Sequence, residues 1–268
     1  MKRLILTIYF WLMFFTVTSF GLLILPLFLL VYIGFLRRTV DFSVRWAICI
    51  YGWILVKVVP FLAPVKVEYR NKGFPLPAIF VPNHNSAIDP YLFGSLLTDV
   101  CFVTTWAFKI PVYSYFMRLA NYIDATEGWE NVYQKGAAVL RSGASLIIWP
   151  EGHRSRDGRL GRFKNGAFAL SVKTGYPLLP VCILGSGEFL PPGKRLITPS
   201  LVKMVLLDPI YPNLQNDPER EIIRLRNTVE AVIKRTIQDE KDSSHLARKM
   251  KKPLLQPLSK AVERGEKC

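Results

Sequence analysis

From Leu4 to Leu36 the chain carries no charged residue. As one straight helix this run reaches about 50 Å, well beyond the roughly 30 Å hydrocarbon core that a perpendicular span has to cross. Gly21 and Pro26 mark the expected breaks. Lys2 and Arg3 precede the run and Arg37 and Arg38 follow it, and basic residues on both flanks favour both ends on the cytoplasmic face. A bent or re-entrant helical hairpin meets that preference, with a single tilted span as the alternative. A secretory signal shares the basic start, but its apolar region is shorter and no small-residue cleavage site follows here. Of the 268 residues 50% are hydrophobic, concentrated in this segment, so composition speaks of membrane attachment more than of core size.

A second apolar segment, Trp46 to Pro64, is interrupted by Lys57 and begins with aromatic residues. It reads equally as a core helix or as a segment lying in the membrane interface. Beyond it the pattern alternates. Val65–Tyr69 reads as an edge strand, and strands are expected at 78–81, 100–104, 145–149, 179–184 and 202–207. Helices are expected at 90–97, 112–120, 130–141 and 167–174. Such alternation predicts an α/β domain with a largely parallel sheet flanked by helices, preceded by the N-terminal helical membrane anchor. An amphipathic helix follows from Pro218 to about Asp239, started by Asp217-Pro218. The organisation expected is a membrane-anchoring segment, 1–64, one globular domain, 65–241, and a basic tail, 242–268. In the tail Arg248, Lys249, Lys251 and Lys252 either attract anionic lipid, at about 1 kcal/mol per basic residue, or have no role. The cysteines at 49, 101, 182 and 268 lack the paired spacing of a zinc site or a disulfide framework.

Two stretches carry the candidate chemistry. Asn83-His84-Asn85-Ser86-Ala87-Ile88-Asp89 follows the first central strand, which places His84 just past a strand end, where α/β domains bind ligands. A carboxylate five residues after a histidine meets it only if a turn intervenes, and Pro90 supports that turn. An imidazole oriented by a carboxylate is a general base, able to take a proton from a hydroxyl that attacks an acyl carbonyl. The plainer reading of Asp89-Pro90 is a helix start, with aspartate as N-cap. The second stretch, Trp149-Pro150-Glu151-Gly152-His153-Arg154-Ser155, also follows a strand, so both loops are expected on one sheet edge. Gly152 permits close backbone approach and Arg154 offers donors suited to a phosphate. Arg162 and Lys164 precede a helix N-terminus, where cations more naturally serve an external anion than the helix itself.

Together with Phe163-Lys164-Asn165-Gly166-Ala167 and the Pro180-Val181 strand with Gly185 beyond, these motifs resemble the 1-acylglycerol-3-phosphate (lysophosphatidate) acyltransferase family of glycerolipid acyltransferases, over about Val65 to Pro212. The resemblance implies His84 as catalytic base and Asp89 as its partner. It places Glu151, Gly152 and Arg154 in the acceptor site and Lys109 in the place of a family lysine that helps hold the phosphate, and Lys164, from its place before the helix, is expected among the substrate-binding residues. Two positions depart from the family pattern. Ala125 follows Ile123-Asp124 where an arginine is usual, and His153 replaces a threonine. Arg118, Lys109, Arg154, Arg156 or Lys164 would compensate for the missing arginine, or the acceptor is a different lyso-lipid.

The activity implied is acyl transfer from acyl-CoA or acyl-ACP to a membrane lyso-lipid, with no cofactor and no metal, at a membrane and with the active site facing the cytoplasm. A net charge of +15 suits lipid phosphate, coenzyme A and the acidic carrier protein alike. Basic residues flank apolar segments, which points to lipid and not to nucleic acid. Two other readings stand beside this one: a metal-dependent hydrolase built on His84, Asp89, Glu151 and His153, and a lipid-binding protein without turnover.

Overall fold

The computed structural model describes residues 2–59, 65–70, 73–155 and 158–251, with side chains to 243. The end of the second apolar segment (60–64), Arg156, the basic side chains of the tail and Cys268 lie outside the described residues. Seven strands form one sheet: β1 (Val65–Tyr69), β2 (Ile79–Pro82), β3 (Val100–Thr104), β4 (Ile123–Asp124), β5 (Ser145–Ile148), β6 (Leu178–Leu184) and β7 (Val202–Leu206). Their order is β1-β7-β6-β2-β5-β3-β4, and every pairing is parallel except β6 with β7. The largely parallel sheet expected from the alternation is therefore present. β1 takes the expected edge. β4, two residues long, closes the opposite edge and is too short to carry a periodic signal.

Register sorts the core. Phe80, Phe102 and Ile147 are aligned across β2, β3 and β5, as are Ile79, Cys101 and Leu146, and alternate residues of a strand face opposite ways. All six are buried, as a parallel sheet covered on both faces requires. Gly136 of α5 (Trp129–Arg141) lies against Leu146 and against Leu170 of α6 (Gly166–Thr174), so these helices cover the second set. The last helix packs on α6 and β6. On the first set Phe80 meets Phe93 edge-on, just after the short helix α3 (Asp89–Leu92).

The helix expected over 90–97 is in fact α3 followed by a tighter turn, Phe93–Leu96. Gly94 accounts for the change: it lies under the second helix of the chain, α2 (Val40–Trp53). A Cβ there would fall 2.4 Å from Trp53 N and 2.7 Å from Cys49 O, so the two backbones touch. Arg45 of α2, 4% exposed, bonds Asp99 through Nε (2.6 Å) and Nη2 (3.1 Å), Asp41 (2.8 Å) and Ala120 O (3.2 Å). α2 is thus packed against the domain through Val44, Arg45, Cys49 and Gly52.

The N-terminal run differs from expectation in one respect. α1 (Lys2–Leu29) passes unbroken through Gly21 and Pro26 and continues in wider turns to Phe35. The chain reverses only at 36–39, among Arg37 and Arg38. Proline removes one helical hydrogen bond, and in an apolar segment the alternative is several unmet backbone groups, so the helix persists until charge arrives. The first turns of α1 are tied to the domain by Arg3 Nε to Ile197 O (3.2 Å), Trp11 Nε1 to Arg195 O (2.9 Å) and Ile197 N to Thr7 Oγ1 (3.0 Å). Its outer face exposes Leu4, Ile8, Leu12, Phe15, Leu23 and Leu27. Lys2–Phe35 is the one helix among the described residues long and apolar enough to cross a membrane, with mean hydropathy 2.4.

Candidate active site

β2 and β5 are neighbours and parallel, so the loops that leave them emerge side by side at the carboxyl edge. After β2 the chain is held by Asn83, whose side chain donates to Ile183 O (2.9 Å) and accepts from Ile183 N (2.6 Å) of β6. That clamp fixes where His84 begins. The turn then closes on itself. Asp89 Oδ2 accepts from Asn85 N (2.7 Å), Ser86 N (2.8 Å) and His84 Nδ1 (2.8 Å). Asp89 is fully buried and His84 is 17% exposed. The aspartate therefore serves both as the cap of a turn and as the partner of the ring. With Nδ1–H donated to Asp89, His84 Nε2 keeps its lone pair.

Glu151, 2% exposed, joins the two loops. Its Oε1 accepts from His84 N (2.9 Å) and its Oε2 from Gly161 N (2.8 Å), while Ser155 N donates to His84 O (2.8 Å). Burial pushes the Glu151 carboxyl above the usual carboxylate range, against the pull of those two N–H groups. Gly152 has φ +73°, and a Cβ there would fall 2.7 Å from Lys164 Nζ. The ammonium of Lys164 thus rests over this turn, and Lys164 N donates to Pro150 O (2.8 Å). Trp149 lies tilted over the His84 ring at 4.7 Å and stacks on Phe102 at 5.7 Å. Nothing in the spacing of the sequence announced the Trp149 stack or the Asn83 clamp. Both partners become neighbours only through strand order.

His84 and Arg154 face an apolar cavity of about 360 Å³. Leu22 and Leu25 of α1, Ile48 of α2, Phe102 of β3 and Phe116 of α4 (Pro111–Leu119) wall it. The structure thus brings His84, Asp89, Glu151, Gly152, Arg154 and Lys164 to one edge. Lys109 is exposed at the end of the turn Ala107–Lys109, two residues past Ala107 of the cavity wall. His153 is exposed. Among the described residues no three His, Cys, Asp or Glu side chains gather as a metal ion needs.

A histidine–aspartate pair held at the carboxyl edge of a largely parallel sheet opens on an apolar cavity beside a long apolar helix, the architecture of an α/β domain with its site at the strand ends. Residues 66–184 match the family model described as Acyltransferase. It is 31% identical over 166 residues to a chloroplastic 1-acyl-sn-glycerol-3-phosphate acyltransferase, BAT2, of Brassica napus, covering 59% of this chain and 48% of that protein. It is 23% identical over 215 residues to the 1-acyl-sn-glycerol-3-phosphate acyltransferase of Pseudomonas aeruginosa, covering 76% and 82%. The chain spans about half the length of the chloroplast relatives it matches. The crystal structure of the 1-acyl-sn-glycerophosphate (LPA) acyltransferase PlsC from Thermotoga maritima is similar over 90% of this chain and 96% of that one, with TM-score 0.67 and 26% identity.

Proposed function

We propose that the protein transfers an acyl chain from an acyl thioester, acyl-CoA or acyl-ACP, to the free hydroxyl of 1-acylglycerol-3-phosphate, giving phosphatidate. The observation that carries this is the placement of His84 Nε2, oriented by Asp89, on a cavity lined with hydrocarbon side chains and shared with Arg154. The names of the relatives agree with it. His84 Nε2 takes the proton of the acceptor hydroxyl as its oxygen attacks the thioester carbonyl. Asp89 stabilises the imidazolium that forms. The tetrahedral intermediate collapses, the carbon–sulfur bond breaks, and the imidazolium returns its proton to the leaving thiolate. Arg154 and Lys164 take the acceptor phosphate, and Glu151 acts by holding both loops in register. No cofactor and no metal take part.

α1 serves as the membrane element, its outer apolar face in the lipid of the cytoplasmic leaflet and its first turns on the domain. Basic pairs at both of its ends favour that side. The active site then faces the cytoplasm.

His84→Ala should abolish transfer while leaving the protein folded in membranes, and retained activity would refute the base assignment. Ala125, in place of the family arginine, favours a second reading in which the acceptor is another lyso-lipid. An acceptor panel decides: a clear preference for lysophosphatidate over lyso-lipids lacking a phosphate monoester supports the first reading, and the reverse preference selects the second.

A further inference from the structure

Four hydroxyl groups from four helices line the same apolar cavity: Thr18 of α1, Tyr51 of α2, Tyr91 of α3 and Tyr113 of α4. They sit in two pairs. Thr18 Oγ1 donates back to Phe14 O at 2.6 Å, as a helical threonine does, so the proton in its 2.7 Å contact with Tyr51 comes from the tyrosine. Both protons of that pair are used. The hydroxyls of Tyr91 and Tyr113 are 3.4 Å apart, at the outer limit of a hydrogen bond. Only one proton can lie between two hydroxyls, so the second pair keeps one O–H without an acceptor among the described residues. The rings of Tyr51 and Tyr91 meet edge-on at 5.9 Å, which joins the two pairs into one patch. An unspent donor in apolar surroundings is unfavourable until it meets an oxygen. A purely hydrocarbon occupant of the cavity leaves it unmet.

We propose that Tyr91 and Tyr113, backed by Tyr51 and Thr18, form a polar subsite that takes a hydrogen-bond-accepting oxygen carried on an acyl chain, and that the ester carbonyl of a 1-acyl acceptor supplies it. Tyr91 follows Asp89 by two residues, and the acceptor hydroxyl that reaches His84 carries its own ester carbonyl a few bonds away. The subsite would let the enzyme recognise an acylated acceptor by more than its phosphate. This rests on the acyl-transfer reading above.

The test uses the full chain in detergent or membranes and the paired substitution Tyr91→Phe with Tyr113→Phe, which removes both hydroxyls and keeps both rings. kcat/KM is measured with 1-acyl and 1-O-alkyl lysophosphatidate, the ether lacking only the carbonyl. The parent protein should prefer the ester by about three- to tenfold, the range of one net hydrogen bond. The paired variant should lose that preference by slowing on the ester alone. A second arm compares hydroxylated with plain acyl thioesters. A preference there that disappears in the variant assigns the oxygen to the donor chain and keeps the subsite. Ester-to-ether and donor ratios that are the same in parent and variant overturn it. Calorimetric titration of the two acceptors reads the same discrimination without turnover. Discrimination by binding in a protein that transfers nothing would keep the subsite and remove the acyl-transfer reading, whereas equal binding of ester and ether by parent and variant, together with unchanged donor ratios, would remove the subsite.

Discussion

Asp89 Oδ2 takes three donors, whereas Oδ1, equally buried, has no partner among the described residues. That asymmetry predicts what an amide would do there. In Asp89→Asn the amide oxygen stays where the two backbone N–H groups point, the NH₂ takes the empty side, and the His84 ring keeps its orientation. What is lost is the negative charge opposite the imidazolium. We expect kcat to fall by about 10²- to 10⁴-fold, the scale of general-base assistance, with KM for the acceptor little changed and the fold intact. A variant with unaltered kcat would reduce Asp89 to a turn cap. The expected helix start is displaced by one residue: Ile88 is the cap position, Asp89 opens the helix, and its Oδ2 binds the turn before the helix, at Asn85 and Ser86, as well as the His84 ring. The sequence could not show this, because the turn that brings Oδ2 beneath both the ring and two N–H groups is a matter of backbone path. Glu151 teaches the same lesson. The family resemblance implied a place in the acceptor site, and its oxygens accept from the backbone of His84 and of Gly161.

At the scale of elements, α2 walls the apolar cavity, and its distance from the turn after α3 is set by bare backbone at Gly94. Trp53 N, Gly52 C and Cys49 O all lie under 3.0 Å from a Cβ built there, and none of these is a side chain that can swing away. Gly94→Ala should therefore displace α2, cost about 1–3 kcal/mol as overpacking does, and alter which acyl-chain lengths are transferred, since Ile48 and Tyr51 on α2 line the cavity. Thermal unfolding and a donor series of graded chain length check both parts. Unchanged stability would mean that the two backbones can move apart at no cost. Elements with a strong period were legible from the residues alone. The strands over 65–69 and 100–104 and the helix over 167–174 lie within a residue of expectation. What escaped were features that periodicity cannot encode: the two-residue β4, the tightening after Leu92 where another helix presses on Gly94, and the antiparallel turn of β7 against β6.

For the whole molecule, the apolar N-terminal run is one long helix without the break expected of a bent hairpin, docked at its start and apolar along its outer face. Leu23 and Leu27, 77% and 62% exposed, face away from the protein. Leu23→Asp with Leu27→Asp should cost about 3 kcal/mol per charge if that face is in lipid, and should move the protein from the membrane pellet to the supernatant without unfolding the domain. Retention in the pellet would place another surface in the bilayer. By itself the sequence determined the class of fold, the apolar element and the two polar loops, because strand and helix periods, an uncharged run and turn-forming residues are local properties of a chain. Only the tertiary structure decided that β2 and β5 lie side by side, that Glu151 ties one loop to the other, that Trp149 lies on the His84 ring, and that four helices place their hydroxyls in one cavity. These depend on strand order and helix crossing, which arise from packing between residues far apart in the chain and leave no local trace.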